Sequence, residues 1–220
     1  MPKPSTPAAI VFDLDGTLVD TVEDRIEAWA QTFAEHEIPA TRRQLEPMIG
    51  MDGRRLAREV AAAAGRALDD GEAEELDRRA GELFGERNTD PRPLPGVAEL
   101  LSRLDARGVT WAIATSSRAE QVTTSVRALG LDGEARIVDG SRVEHAKPAP
   151  DLLLLAAREL AANPARTWYV GDSTWDMEAA AAAGMPGIGV LAGAAVDADA
   201  LRDAGATRVV DSLDQLDIGG

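Results

Sequence analysis

The stretch Ala8-Ala9-Ile10-Val11-Phe12-Asp13-Leu14-Asp15-Gly16-Thr17 passes from small and apolar side chains into two carboxylates, a glycine and a threonine. A short apolar run closed in this way reads as a buried parallel strand that delivers acidic groups at its C-terminal end. Similar runs recur at Val109–Ala114, Arg136–Val138, Thr167–Val170, Gly187–Leu191 and Arg208–Val210. Helical patterns separate them, at Gly96–Arg107, Ala119–Leu129, Pro150–Ala162, Trp175–Ala183 and Ala198–Ala204; Val97, Leu100, Leu101 and Leu104 share one face of the first. Strands alternating with helices of this length make βαβ units and a parallel sheet, so the fold class is α/β with a Rossmann-like core.

One segment breaks the alternation. Between Asp20 and Pro95 the sequence offers helices at Thr21–Glu37, Arg42–Ile49, Arg54–Ala64 and Gly71–Arg87 and no strand, and Asn88–Pro95 reads as a linker back to the sheet. The expected organisation is a core of residues 1–19 and 93–220 with an inserted helical domain, 20–92. There is no internal repeat, and the Ala-rich patches Val60–Ala64 and Ala179–Ala183 are read as tight helix packing.

Composition narrows the chemistry. No cysteine is present among the 220 residues, which excludes a disulfide framework, a zinc–thiolate site and a cysteine nucleophile. A net charge of −15 excludes the basic footprint that nucleic acid requires. No apolar run is long enough to span a bilayer. The N-terminal stretch reaches charged residues too soon for a signal peptide, so a cytoplasmic location is expected. An acidic protein of this kind can bind a phosphate only by local neutralisation. The chain has just two lysines, Lys3 and Lys147, against 21 arginines, and a coding bias toward Arg accounts for most of that contrast. The retention of Lys147 in such a background is informative.

Four clusters fall just past strand ends, where ligands bind in open α/β sheets. In an extended segment residues two apart face the same side, so Asp13 and Asp15 can address one ligand. Carboxylates this close repel unless a divalent cation or a shared proton intervenes, and the plain alternative is a solvated strand end. Thr115-Ser116-Ser117 offers hydroxyls and main-chain N–H groups to an anion, or simply caps the next helix, and both hold if Thr115 binds the anion while Ser117 caps. Lys147-Pro148 brings a compact cation suited to a phosphoryl oxygen, or is a surface lysine. Gly171-Asp172-Ser173-Thr174-Trp175-Asp176 places two carboxylates four apart at a strand-to-helix junction, as Mg²⁺ sites often do and as helix-capping acids also do.

Taken together, and in this order, Phe12–Thr17, Thr115–Ser117, Lys147-Pro148 and Gly171–Asp176 resemble the haloacid dehalogenase superfamily, in its phosphatase branch with a small helical cap. The resemblance covers nearly the whole chain. It implies that Asp13 attacks phosphorus and becomes an aspartyl phosphate, and that Asp15 protonates the leaving oxygen and then deprotonates water, with a pKa raised toward working pH. It further implies Mg²⁺ held by Asp13, the Asp15 carbonyl and Asp172, with Asp176 in or beside the ligand set. Lys147, Thr115 and Ser116 would hold the phosphoryl oxygens, and residues 20–92 would be the cap that reads the leaving group. Ala146 departs from the Gly that relatives commonly have before this lysine.

The expected function is therefore Mg²⁺-dependent hydrolysis of a small-molecule phosphate monoester by a monomer. A dehalogenase would lack Asp15, and a phosphonate hydrolase would need a lysine that the insert does not contain. A β-phosphoglucomutase-like transfer needs a cap residue for a second phosphate; Arg54 and Arg55, in Gly50–Arg55, are the candidates, and their plain alternative is a solvated first turn. A non-catalytic anion-binding protein on this fold would be expected to have lost one of Asp13, Asp15, Lys147 or Asp172. Trp168 and Tyr169 are read as sheet packing, and neither His36 nor His145 has a visible partner, although His145 could lie near the site.

Overall fold

A computed structural model describes residues 6–131 and 136–219; Lys3 lies outside them. The chain runs β1 (Ala9–Phe12), β2 (Val19–Asp20), α1 (Val22–Glu35), α2 (Arg42–Leu45), α3 (Gly53–Ala63), α4 (Asp70–Arg87), β3 (Arg92–Pro93), α5 (Val97–Arg107) and β4 (Thr110–Ala114). It continues through α6 (Ala119–Ala128), β5 (Ile137–Val138), α7 (Asp151–Glu159), β6 (Thr167–Gly171), α8 (Thr174–Ala183), β7 (Gly187–Val190), α9 (Ala198–Asp203) and β8 (Arg208–Val210).

Six strands form one sheet in the order β5-β4-β1-β6-β7-β8, and every pairing in it is parallel. The alternation of side chains in β1 sets the two faces. Ile10 and Phe12 join Val97, Leu100, Leu104, Ile113 and Val170 beneath α5 and α6. Ala9 and Val11 face the other way, onto Leu152, Leu153, Ala156, Tyr169, Ala179 and Ala180 of β6, α7 and α8. The alanines there leave room for those two helices to lie close to the strands. With β1 in the middle, Asp13 emerges at the centre of the C-terminal edge.

Helices α1 to α4 bury a core of their own: Ile26, Trp29, Phe33, Leu45, Leu56, Val60 and Leu76 pack together, with Trp29 stacked on Phe33 at 5.4 Å between ring centroids. Two sequence expectations need adjustment here. The expected helix 42–49 is a four-residue turn followed by a 3₁₀ segment, Glu46–Met48, because Pro47 has no N–H for a continuing α-helix. A short strand also exists where none was expected: Arg92–Pro93 pairs antiparallel with Val19–Asp20. This ribbon ties together the two chain crossings between the helices and the sheet. Two residues per strand are too few to show periodicity.

Phe33 is fully buried in the helical core. Phe33→Ala is expected to cost about 3–5 kcal/mol of stability, read from denaturant unfolding followed by circular dichroism. A loss below about 1 kcal/mol would show that these helices do not depend on that core.

Candidate active site

The four clusters converge. At the end of β1 the Asp13 N–H still donates to Val170 O at 2.8 Å, so the sheet fixes the backbone at Asp13. The chain then turns through Gly16 at φ +80°, where a Cβ would stand 2.3 Å from Asp172 Oδ2. Only glycine permits both the conformation and the approach. The buried Thr17 hydroxyl donates to Asp172 Oδ1 at 2.9 Å, joining the first cluster to the fourth. Thr115 is buried at the end of β4, and its Oγ1 accepts from the Ser117 N–H at 3.1 Å. The Ser116 hydroxyl donates to Gly50 O at 3.1 Å, across to the helical unit. Ser117 does not cap α6, as had been expected: the cap position is Arg118, and the Ser117 hydroxyl donates to Asp15 Oδ2 at 2.7 Å.

Lys147 is fully buried and donates to Asp13 Oδ1 at 2.5 Å and to Asp176 Oδ1 at 2.8 Å. It is no surface lysine. Burial alone would lower its pKa, but the two carboxylates outweigh that and raise it, so the ammonium stays charged. Asp176 Oδ1 also accepts from the Tyr169 hydroxyl at 2.9 Å. Its Oδ2 accepts from the Ser173 hydroxyl at 2.7 Å and from the N–H groups of Ser173 and Asp172 at 3.0 and 3.2 Å. A carboxylate offers about four acceptor sites, and these five donors fill them. Tyr169 is thus more than sheet packing; its hydroxyl helps hold the carboxylate that holds Lys147. Trp168 is packing only, in the core on the opposite face.

Asp15 has different surroundings. Its Oδ1 accepts from the Thr21 hydroxyl at 2.8 Å, and its Oδ2 from Ser117 and from Arg25 Nη2 at 3.0 Å. Burial pushes its pKa up, but the Arg25 guanidinium and the two hydroxyls outweigh that and hold it below the usual carboxylate value. The raised pKa expected from sequence is therefore not found in this geometry; Asp15 is an ionised carboxylate. Arg25 comes from α1, stacks on the Phe84 ring at 3.5 Å and also donates to Gln121. Sequence reading missed Thr21 and Arg25, although their four-residue spacing places them on one helix face.

The carboxyls of Asp13, Asp172 and Asp176 bring one oxygen each to within 4.8 Å of one another. Burial and the nearby Asp176 and Asp15 carboxylates push Asp13 up to about 7 in spite of Lys147. Asp172 is raised well above its ordinary value by burial, Asp176 and Asp13. Ionised together, the three buried carboxylates would exceed the one ammonium by two negative charges. Among the described residues no donor reaches Asp13 Oδ2 or Asp172 Oδ2. Both observations fit a divalent cation beside Asp13 and Asp172, whereas Asp176 has no acceptor site left for direct ligation.

Above Asp13 lies a cavity of about 60 Å³ lined by Asp15, Arg25, Trp29, Met51, Leu56, Asp77, Ser116, Gln121 and Asp172, among others. Arg54 and Arg55 are not in it. Arg54 pairs with Asp52 and donates to Glu144 O, while Arg55 pairs with Glu59 beside the Trp175 ring. His145 is two-thirds exposed, near Asp151, and His36 contacts the Thr32 carbonyl in the helical unit.

An open parallel sheet with acidic, hydroxyl and lysine groups gathered at its C-terminal edge is the build of a phosphoryl-handling α/β enzyme. The model of the haloacid dehalogenase-like hydrolases matches residues 7–184, and the chain belongs to that family. It is 33% identical over 178 residues to the N-acetylmuramic acid 6-phosphate phosphatase of Pseudomonas aeruginosa, covering 80% of this chain and 78% of that one. It is 34% identical over 188 residues to the phosphoglycolate phosphatase of Mesorhizobium japonicum, covering 82% and 81%. The crystal structure of a hydrolase from Pseudomonas syringae superposes with a TM-score of 0.90 at 34% identity over 94% of each chain.

Removal of the Tyr169 hydroxyl tests how Asp176 is held. Tyr169→Phe should lower stability by about 1–3 kcal/mol in urea unfolding, the cost of a donor lost from a buried charge. An unchanged midpoint would show that Asp176 does not need it.

Proposed function

We propose that the chain is a Mg²⁺-dependent phosphatase that hydrolyses small-molecule phosphate monoesters through a phosphoryl group carried on Asp13. The observation that carries this reading is the buried Lys147–Asp13 contact, which fixes one oxygen of Asp13 and leaves the other toward the cavity. In the first step the Asp13 carboxylate attacks phosphorus, the ester P–O bond breaks, and Asp15 gives its proton to the leaving oxygen. In the second, water attacks the same phosphorus, Asp15 takes the water proton, and the P–O bond to Asp13 breaks. The described geometry suits the second step, because Asp15 is ionised. The first step requires Arg25 to loosen its hold so that Asp15 can carry a proton.

Asp13, the Asp15 carbonyl and Asp172 would hold the metal, with Asp176 behind them positioning Lys147. When bound, Mg²⁺ neutralises the excess carboxylate charge and polarises the phosphoryl group. Thr115, Ser116 and Lys147 are the proposed phosphoryl-oxygen contacts. Residues 20–92 are the proposed cap domain, which closes over residues 1–19 and 93–220 to exclude water.

The mutase alternative is less well supported. It needs a free cation for a second phosphate, but Arg25 and Lys147 in the cavity, and Arg54 and Arg118 in the adjoining cleft, are each paired with carboxylates. A cytoplasmic monomer belongs to the same proposal. Leu154 is the one large apolar side chain exposed among the described residues, which leaves no broad apolar face for a partner. Among the described residues no helix is long and apolar enough to cross a membrane.

Phosphate release from p-nitrophenyl phosphate and a panel of small esters, with and without Mg²⁺, tests the proposal. Asp13→Asn is expected to lower kcat by at least about a thousandfold. Retained activity, or no release by folded parent protein, would contradict it. A second test uses stability. Asp13 and Asp172 bind protons more tightly folded than unfolded, so the metal-free protein loses stability as pH rises from about 4 toward 7. Mg²⁺ at a hundredfold its Kd should add about 2.7 kcal/mol, a Tm rise of about 5–10 °C at pH 8 and distinctly less at pH 5. A shift independent of pH would contradict the metal assignment.

A further inference from the structure

The cavity ends in a carboxylate with one oxygen unused. Asp77 on α4 is mostly buried, and its Oδ2 accepts from Arg118 Nη2 at 2.7 Å. Among the described residues no donor reaches Oδ1. That oxygen lies over Gly53, where a Cβ would stand only 1.9 Å away, and the Trp29 ring borders the same point. Gly53 thus keeps open the space in front of Oδ1.

This point is also a passage. The inner cavity of about 60 Å³ and a cleft of about 270 Å³, at the seam between helical unit and sheet, share Gly53, Asp77 and Ser116. A volume of 60 Å³ corresponds to about four to six water positions, which a phosphoryl group largely fills. A leaving group that extends into this cleft passes Asp77.

The charges there select its chemistry. Arg118 is shared between Asp77 and Glu74, and Arg25 across the cavity is committed to Asp15. Arg54, the other cation lining the cleft, is paired with Asp52. Each of these cations is thus committed to a carboxylate, whereas an acceptor without a donor suits a hydroxyl. Resting on the phosphatase reading above, we infer that Asp77 Oδ1 accepts a hydrogen bond from the leaving group, and that the substrate is the phosphate monoester of an uncharged polyhydroxylated alcohol, a sugar or polyol phosphate, in preference to that of a hydroxy acid.

The test is kcat/KM for glucose 6-phosphate, ribose 5-phosphate, 2-phosphoglycolate and p-nitrophenyl phosphate, in the parent, Asp77→Asn, Gly53→Ala and Glu74→Gln, each checked for thermal unfolding. The parent should prefer at least one sugar phosphate to 2-phosphoglycolate. Asp77→Asn should lower the ratio of that sugar phosphate to p-nitrophenyl phosphate by about tenfold, the loss of a hydrogen bond to a charged acceptor. Gly53→Ala, which sets a methyl against Oδ1, should move the ratio the same way and serves if Asp77→Asn does not fold. Glu74→Gln removes the other partner of Arg118 and should leave the ratio within about twofold if Asp77 acts on substrate rather than as a latch. A parent preference for 2-phosphoglycolate, a ratio unmoved by Asp77→Asn and Gly53→Ala, or an equal effect of Glu74→Gln would overturn the inference. Hydrolysis of p-nitrophenyl phosphate with any of those results refutes the leaving-group assignment alone; no hydrolysis of any ester refutes the phosphatase reading with it.

Discussion

The Lys147 ammonium, buried between Asp13 and Asp176, is the contact around which the site is organised. Taking an ammonium and two carboxylates out of water costs several kcal/mol per ion, and the arrangement persists only if the remaining hydrogen-bonding positions are filled. At Asp176 they are filled by Tyr169, by Ser173 and by two main-chain N–H groups at the start of α8. At Asp13 one oxygen stays open, and that asymmetry separates a structural carboxylate from one available for chemistry. The main chain of the same lysine reaches the helical unit as well, since Lys147 O accepts from the Asp52 N–H at 2.9 Å.

A second contact couples the two parts of the molecule to the proposed acid–base group. Arg25 crosses from α1 to Asp15, while Ser116 to Gly50, Trp175 to Pro47, and Arg118 to Glu74 and Asp77 also span the seam. These contacts are polar; the Arg25–Asp15 pair is largely buried, whereas Glu74 is well exposed and its pair with Arg118 contributes little alone. In the arrangement described, Asp15 is held ionised by a residue of the helical unit. Movement of the helices would therefore change Asp15's electrostatic surroundings as well as access to the cavity.

Much of the sheet was legible because it is written in short buried runs: the strand ends at Asp13, Thr115 and Asp172 fall within a residue or two of where the apolar runs stop. Asp13, Thr115 and Asp172 were legible because each follows its own strand, and Thr17 stood in the first cluster; Lys147, in the loop between β5 and α7, stood out as one of only two lysines. The cavity walls were not. Arg25, Trp29, Asp77 and Gln121 sit on helices whose rotation over the sheet depends on tertiary packing, and nothing in their own neighbourhood marks them. Arg54 and Arg55, suggested by a glycine-rich segment, lie outside the inner cavity: α3 starts at Gly53, and the two side chains pair with Asp52 and Glu59, Arg54 in the lining of the adjoining cleft. Tyr169 packs in the sheet as read, but the part played by its hydroxyl was not legible, because its partner Asp176 lies seven residues on, at the head of α8.

The most direct measurement of the proposed mechanism is chemical capture of the phosphorylated side chain. The enzyme is quenched in acid during turnover of a good substrate with Mg²⁺, reduced with borohydride, and mapped by peptide mass spectrometry. An acyl phosphate at Asp13 predicts that the peptide spanning residues 6–25 carries homoserine at position 13, in an amount that depends on substrate. Efficient hydrolysis with Asp13 unmodified under those conditions, or with the reduced residue found at Asp15, would contradict nucleophilic attack by Asp13.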